Sequence, residues 1–489
     1  MSDRIHFLLG ETATTAAVED PTTTVLQWLR ARGRTGTKEG CAEGDCGACT
    51  VVLGELDGSA DAPRLRYRAV NSCIQFLPTL HGRQLLTVED LAEPGGDLHP
   101  TQDAMVAEHG SQCGFCTPGF VMALFALYHD PDLPESPDRA AIDDGLAGNL
   151  CRCTGYRPIV AAARRALGGE RADRFSRGRE RTMEALQAIR AGRMPEIDGF
   201  HAPRSVTELV RLYAERPKAL LLGGGTDVGL WVTKDHRRLP ALIHVGDVAD
   251  MRDVVDTGDT LDIGAAATYT EILPALDRRF PDFAAMVRRL GAMQVRNAGT
   301  MGGNVANGSP IGDSMPPLIA LGARVVLNRA GQRREMALED FYLGYKRTAL
   351  EEGEFVERLR IPIWAEDRRF GVYKVSKRRD QDISAVCAGF AFSLTEDGRV
   401  TAFRAAYGGM AATPKRARAA EAAVEGRPWT LETVAAGMAA LARDFEPMTD
   451  MRASAEYRAS TARNLMMKLY LETTGQIGGP KETRVARHG

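Results

Sequence analysis

Three cysteines within the run Cys41-Ala42-Glu43-Gly44-Asp45-Cys46-Gly47-Ala48-Cys49 constrain this chain more than any other stretch. They form the pattern C-x4-C-x2-C, and a fourth, Cys73, follows a strand-like segment. That spacing is the plant-type arrangement in which four thiolates hold a [2Fe-2S] cluster. The intervening residues are small or glycine, as a loop must be if it is to wrap tightly and turn its N–H groups toward sulfur. A zinc knuckle is an alternative, although zinc sites usually pair two C-x2-4-C elements. Buried unligated thiols are another.

A length of 489 residues exceeds what one core can organise and points to about three or four domains. Seven of the nine cysteines cluster as C-x4-C-x2-C, C-x2-C and C-x-C units, a pattern of metal ligation rather than disulfide bonding. A formal net charge of −2 provides no basic surface for nucleic acid or an anionic membrane. Apolar runs fall short of the roughly 18–20 residues that cross a bilayer, and the first residues lack a signal-peptide pattern. The expectation is a reduced, cytoplasmic protein without nucleic-acid or membrane partners.

Along the chain, Ile5–Leu9 reads as a strand, 22–32 as an amphipathic helix, and Thr50–Leu53 and Leu65–Val70 as further strands around the cysteine loop. This is the order of a small β-grasp ferredoxin, placed at 1–84. A helical segment, 85–168, carries two more cysteine pairs. Cys113 and Cys116 precede Thr117-Pro118, read as N-cap and first helical residue. Cys151 and Cys153 precede Thr154-Gly155-Tyr156-Arg157-Pro158. Thiols ahead of helix N-termini are favoured as thiolates, for iron or for zinc. The arginine-rich stretch 169–195 reads as a linker, helical in part but with little apolar periodicity, whose arginines form a solvated face or, as the lesser alternative, a partner contact. Beyond it, Ala219-Leu220-Leu221-Leu222 is a strand running into Gly223-Gly224-Gly225-Thr226-Asp227, and a second glycine-rich run spans 299–310 and ends at Ile311-Gly312-Asp313. Converging backbone N–H groups at such loops suit a diphosphate, and two in one domain favour a dinucleotide pocket over unrelated turns.

The runs GTKEGCAEGDCGACTV, AVNSCIQFLPTLHG, HGSQCGFCTPGF and LAGNLCRCTGYRPI resemble the iron-sulfur domains of the xanthine dehydrogenase family of molybdenum hydroxylases. The resemblance implies two [2Fe-2S] clusters, one on Cys41, Cys46, Cys49 and Cys73, the other on Cys113, Cys116, Cys151 and Cys153. Cys387, in SAVCAGFAF, is left as a small buried hydrophobe. The glycine loops resemble the non-Rossmann FAD domain of the same family, of vanillyl-alcohol oxidase type, at 196–367. Carried over by position, Leu221, Leu222, Gly223, Gly224, Gly225, Thr226, Asp227 and Val228, with Thr300, Met301, Gly302, Gly303 and Asn304, surround the FAD diphosphate. Asp313 is expected at the adenosine end and Lys374 near the flavin edge. Leu290 stands where the family often has an aromatic residue against the flavin. Residues 368–480, including DMRASAEYR at Asp450–Arg458, resemble the C-terminal α+β domain of carbon monoxide dehydrogenase-type flavoproteins. There the loop corresponding to Lys377–Asp382 lies beside the flavin and influences access of NAD+.

What the resemblance implies is a multidomain α+β electron-transfer subunit. A molybdopterin-binding large subunit would be its partner, in a heterotetramer of two small and two large subunits. Electrons would run from the partner's molybdenum through the helical-domain cluster, the ferredoxin-domain cluster and FAD to NAD+, as hypoxanthine and xanthine are oxidised to urate. An aldehyde or another N-heterocycle is the alternative substrate, and a free-standing iron-sulfur flavoprotein reductase the alternative of another class. No catalytic acid, base or nucleophile is assigned.

Overall fold

The computed structural model describes residues 3–58, 62–192, 194–364 and 367–478. Part of the turn-rich stretch 54–63 and the expected limit at 480 lie outside the described residues. The first sheet contains β1 (Arg4–Leu9), β2 (Thr12–Ala17), β3 (Thr50–Asp57), β4 (Arg64–Asn71) and β5 (Gln84–Leu86), with α1 (Val25–Ala31) inserted after β2. Strand order is β2-β1-β5-β3-β4, with β1 and β5 parallel. A reciprocal cap starts α1: Thr24 accepts from the Gln27 amide while Gln27 accepts from the Thr24 amide. The helix then buries Val25, Leu26, Trp28 and Leu29. Two strands were not anticipated, because β2 is Thr/Ala-rich and β5 is three residues long. Strand β5 also runs past residue 84, so the sheet closes beyond the expected domain limit.

Four helices follow: α2 (Pro100–Ala107), α3 (Thr117–Tyr128), α4 (Arg139–Leu146) and α5 (Arg157–Leu167). Helix α3 is buried from Gly119 to Tyr128 and forms the axis of this module. Its N-cap is Cys116, not Thr117, whose hydroxyl instead donates to Ser111. The arginine-rich stretch then folds as α6 (Arg174–Arg177) and α7 (Arg179–Ala191), and α7 lies across β1, β3 and β4. It buries Thr182 and Leu186, too few positions to show helical periodicity in the sequence.

The second half opens with β6 (Phe200–His201), α8 (Val206–Glu215), β7 (Leu220–Leu222), α9 (Val228–Thr233) and β8 (Leu242–His244), a parallel sheet ordered β6-β8-β7. Next come β9 (Val254–Asp256), β10 (Thr260–Gly264), α10 (Tyr269–Arg279), α11 (Pro281–Leu290), α12 (Met293–Arg296), α13 (Met301–Asn307) and α14 (Met315–Leu321). Strands β11 (Arg324–Arg329) and β12 (Gln332–Ala337), helix α15 (Leu338–Phe341), hairpin β13 and β14 (Tyr342–Gly344, Arg347–Thr348) and β15 (Phe355–Pro362) complete this domain. Its antiparallel sheet is ordered β12-β11-β15-β10-β9. The last module has β16 (Arg369–Val375), β17 (Val386–Leu394), β18 (Val400–Gly408) and β19 (Lys415–Arg416), covered by α16 (Arg418–Val424), α17 (Leu431–Asp444) and α18 (Ala455–Thr473). The DMRASAEYR run anchors it: Arg458, buried, donates to the carbonyls of Ala385 and Gly409 and pairs with Asp450. The ferredoxin core is not self-contained, since Phe200, Leu222 and Leu242 pack with Ile5, Phe7 and Trp28.

Asp173, just ahead of α6, fastens the connector to the helical module. One of its carboxylate oxygens receives His99 Nε2 at 2.7 Å and His129 Nε2 at 2.8 Å; the other receives the Ser176 amide and hydroxyl. The Thr101 amide donates to His99 Nδ1, which fixes the proton of that ring on Nε2 and directs it at Asp173. With that tautomer, His99 has no free Nε2 lone pair for a metal. Burial alone would raise the Asp173 carboxyl, yet the bonds from His129 and His99 hold it well below the usual carboxylate range. Burial holds the His129 imidazole below its ordinary value.

Both groups have folded pKa values below their unfolded ones, so both contribute stability that is lost as pH falls. The unfolded chain takes up a proton near pH ~6.5 that folded His129 refuses, and Asp173 adds to the loss below pH ~4. Asp173→Ala is expected to cost about 3 kcal/mol by orphaning buried donors. In thermal unfolding followed by circular dichroism, it should lower the first transition and flatten that transition's decline below pH ~4.

Candidate cofactor sites

Each expected set of four cysteines is gathered in one place. Cys41 lies beside Cys46, and Cys49 beside Cys73; in the helical module, Cys113 lies beside Cys153 and Cys116 beside Cys151. None of the eight is in a disulfide. The neighbouring Cys46 draws the Cys41 thiol down to about 5, whereas burial, with Cys151 alongside, pushes Cys116 up to about 12. Backbone N–H groups already face sulfur: Cys46 donates to Cys41 Sγ at 3.3 Å and Thr154 to Cys151 Sγ at 3.4 Å. Sulfur-only donors with amides directed at them suit an iron-sulfur cluster, whose core charge and potential depend on such bonds. The two sets differ in setting. Cys49 and Cys73 are buried, whereas Cys113 and Cys153 are exposed beside Phe115 and Tyr156.

The sites are linked by short contacts. Leu150, the neighbour of Cys151, donates its amide to the Cys46 carbonyl at 3.0 Å. Asn149 Nδ2 donates to the Gly47 carbonyl at 2.9 Å, and Gln294 Nε2, from the flavin half, donates to Asn149 Oδ1 at 2.9 Å and Thr50 Oγ1 at 3.2 Å. Gly47 is indispensable there. Its φ is +69°, and a Cβ would lie 2.1 Å from the Gly148 carbonyl oxygen. On the other side, Leu230 of α9 packs with Cys49, Cys73 and Ile74, and Thr233 Oγ1 donates to the Ala42 carbonyl at 2.8 Å. Helix α9 directly follows the Gly223–Asp227 loop, so the first glycine loop and the ferredoxin cysteines share one packed interface.

The two glycine loops meet. A Cβ on Gly224 would fall 1.7 Å from the Ala298 carbonyl oxygen, at the entry to the second loop. Thr300 caps α13 by accepting from the Gly303 amide at 3.0 Å. Of the expected positions, Leu222, Thr300, Met301 and Gly302 are buried, while Leu221, Gly223, Gly224, Gly225, Thr226, Val228 and Asn304 are half-buried and Asp227 and Gly303 exposed. Leu290 ends α11 and packs against the core of the flavin half. Asp313 and Lys374 are brought together rather than apart, as a buried ion pair in which Lys374 Nζ also donates to the Asp382 carbonyl and Ser384 Oγ. The Cys387 thiol donates to the Asp313 carbonyl. Asn304 Oδ1 and Asp313 Oδ1 are buried and lack a hydrogen-bond partner among the described residues. Two orphaned acceptors beside converging glycine loops fit the hydroxyl donors of a dinucleotide.

Gly224→Ala is expected to part the two loops. Overpacking of this kind costs about 1–3 kcal/mol, or about tenfold or more in flavin retention. Flavin released on denaturation, measured per chain against iron, should fall while iron is kept.

Four family models match the chain in sequence: a 2Fe-2S iron-sulfur cluster binding domain at residues 8–76, a [2Fe-2S] binding domain at 87–164, the FAD binding domain in molybdopterin dehydrogenase at 195–364, and the CO dehydrogenase flavoprotein C-terminal domain at 371–473. The xanthine dehydrogenase of Emericella nidulans is 32% identical over 97% of this chain, which spans 39% of that protein. Among solved structures, a chain of carbon monoxide dehydrogenase from Hydrogenophaga pseudoflava superposes with a TM-score of 0.52 at 32% identity, over 55% of this chain and 94% of that one. The enzyme from Oligotropha carboxidovorans matches with a TM-score of 0.51 at 26% identity, over 55% and 94%. The chain therefore belongs to the molybdenum hydroxylase family of xanthine and carbon monoxide dehydrogenases, and corresponds to the iron-sulfur and flavin region through which that family transfers electrons.

Proposed function

We propose that this chain is the electron-transfer subunit of a xanthine dehydrogenase. In this reading electrons from a molybdenum cofactor in a partner polypeptide cross the site at Cys113, Cys116, Cys151 and Cys153, then the site at Cys41, Cys46, Cys49 and Cys73, and reach FAD and NAD+. The overall reaction is the oxidation of hypoxanthine and xanthine to urate. The observation that carries the proposal is the contiguity of the three sites: one hydrogen bond, Leu150 to Cys46, joins the two cysteine sets, and α9 joins the second set to the glycine loop. Exposure supports the direction. The helical-module thiols open to the surface where a partner can approach, whereas Cys49 and Cys73 lie inside, on the flavin side. The 32% identity to a xanthine dehydrogenase over nearly the whole chain favours purine substrates over aldehydes.

Iron-sulfur clusters supply one-electron steps and a flavin the exchange between one and two electrons. The chain's own residues fix spacing and polarity. The cysteine loops set ligand geometry, the amides of Cys46 and Thr154 stabilise charge on sulfur, and the Asp313–Lys374 pair, with Asn304, offers acceptors to cofactor hydroxyls. Lys377–Asp382, joined to Lys374 through the Asp382 carbonyl, borders the side from which NAD+ would enter.

Purification with the natural partner should yield about four irons and one FAD per chain, with xanthine-dependent NAD+ reduction. Cys46→Ser should lower iron to about two per chain and cut NAD+ reduction at least about tenfold, while substrate still reduces the partner's molybdenum. Unchanged NAD+ reduction in a folded, flavin-loaded variant would sink the proposed route, as would zinc in place of iron.

A further inference from the structure

The segment between β16 and β17 makes a contact that the route above does not use. Gln381 sits at φ +53°, a left-handed conformation unfavourable for a non-glycine residue, and its side-chain amide is held at both ends. Gln381 Oε1 accepts from the Ala292 amide at 3.2 Å, at the start of α12. Because that partner can only donate, Nε2 must face the other way, and it donates to the Asp45 carbonyl at 3.3 Å. The same peptide unit, Asp45–Cys46, directs its N–H at Cys41 Sγ, 3.3 Å away. A continuous chain results: the Gln381 amide donates to a carbonyl whose own peptide N–H donates to a cysteine sulfur of the ferredoxin set. At its other end, the Asp382 carbonyl accepts from Lys374, which is paired with Asp313.

We propose that Gln381 is a positioning residue that sets the reduction potential of the ferredoxin-domain cluster through the Asp45–Cys46 peptide. Donation to a carbonyl polarises the peptide and makes its N–H a better donor. A stronger N–H···S bond stabilises the more negative, reduced cluster and so raises its potential. The reaction concerned is uptake of one electron by the oxidised cluster, supplied by the helical-module site, with no bond made or broken. Gln381 thereby ties the flavin-side segment 377–383 to the electron affinity of a cluster on the far side of the α12 junction. The inference rests on the reading of Cys41, Cys46, Cys49 and Cys73 as cluster ligands.

The test is an EPR-monitored redox titration of the complete holoenzyme and its Gln381→Leu variant, in which the second cluster serves as internal reference. Leucine removes the donor without adding charge. The reduced-to-oxidised ratio of the ferredoxin-domain cluster at fixed potential should fall about threefold, a downward shift of about 28 mV at 59 mV per tenfold, with the helical-module cluster unmoved. Equal potentials in variant and parent would overturn the proposal. A parallel shift of both clusters would do so too, because it would report general loosening, and so would loss of the ferredoxin-domain signal alone, because it would report failed assembly. A parent enzyme with a single [2Fe-2S] signal would instead defeat the ligand reading beneath it, and Gln381→Glu, which keeps the acceptor for Ala292 but not the donor, should shift in the same downward direction as leucine.

Discussion

A buried amide knot holds the molecule together. Asn149 comes from the helical module, Thr50 and Gly47 from the ferredoxin loop, and Gln294 from the flavin half, and all four meet in one hydrogen-bond network. None of these groups reaches water in the folded chain, so docking one domain in another position would leave polar atoms buried and unpaired, at about 1–3 kcal/mol each. Directional bonds of this kind specify one relative placement of three domains, which apolar packing alone would define loosely. Neighbouring contacts repeat the theme: Arg296 reaches Asp144 and Asn297 reaches the Ala69 carbonyl, so that helix α12 acts as the common abutment.

Charge completes what the amides begin. Arg83 lies between Glu55 of its own sheet and Asp247 of the flavin half, while Arg68 and Arg252 converge on Glu271. Burial works against ionisation of Glu55, yet Arg83 and Arg68 hold its carboxyl below its ordinary value. Glu55, Arg68, Arg83 and Arg252 line a cavity of about 60 Å³ with Gly223, Gly224 and Thr300. Ion pairs this buried contribute little net stability over apolar packing, but breaking one partner is costly. Their effect is to penalise any misplaced docking of the glycine loops on the ferredoxin sheet.

What the sequence disclosed and what it concealed divide along a physical line. Cysteine spacings, glycine loops and the amphipathic stretch 22–32 are local signals, and the structure has a helix at or beside each. Strand β2 escaped notice because Thr and Ala carry little apolar alternation, and α7 was legible only as a partly helical charged stretch because a helix lying across this sheet buries few residues. The residues that join the sites were invisible for a different reason. Asn149 and Gln294 are 145 positions apart, and Gln381 and Asp45 are 336 apart, so no periodicity or motif could pair them. The orphaned oxygens of Asn304 and Asp313 likewise exist only once the fold has excluded water from them.

The connector has a further bearing on how such a machine runs. After the helical module the chain turns back, is pinned at Asp173 by two histidines, and lays α7 across three ferredoxin strands before entering the flavin half. A free tether would let the modules swing, and exchange between them would then be gated by diffusion. A strap bonded at one end and packed along its length removes that freedom. Traffic between the sites is then set by fixed separation and driving force, and solvent viscosity has no purchase on it.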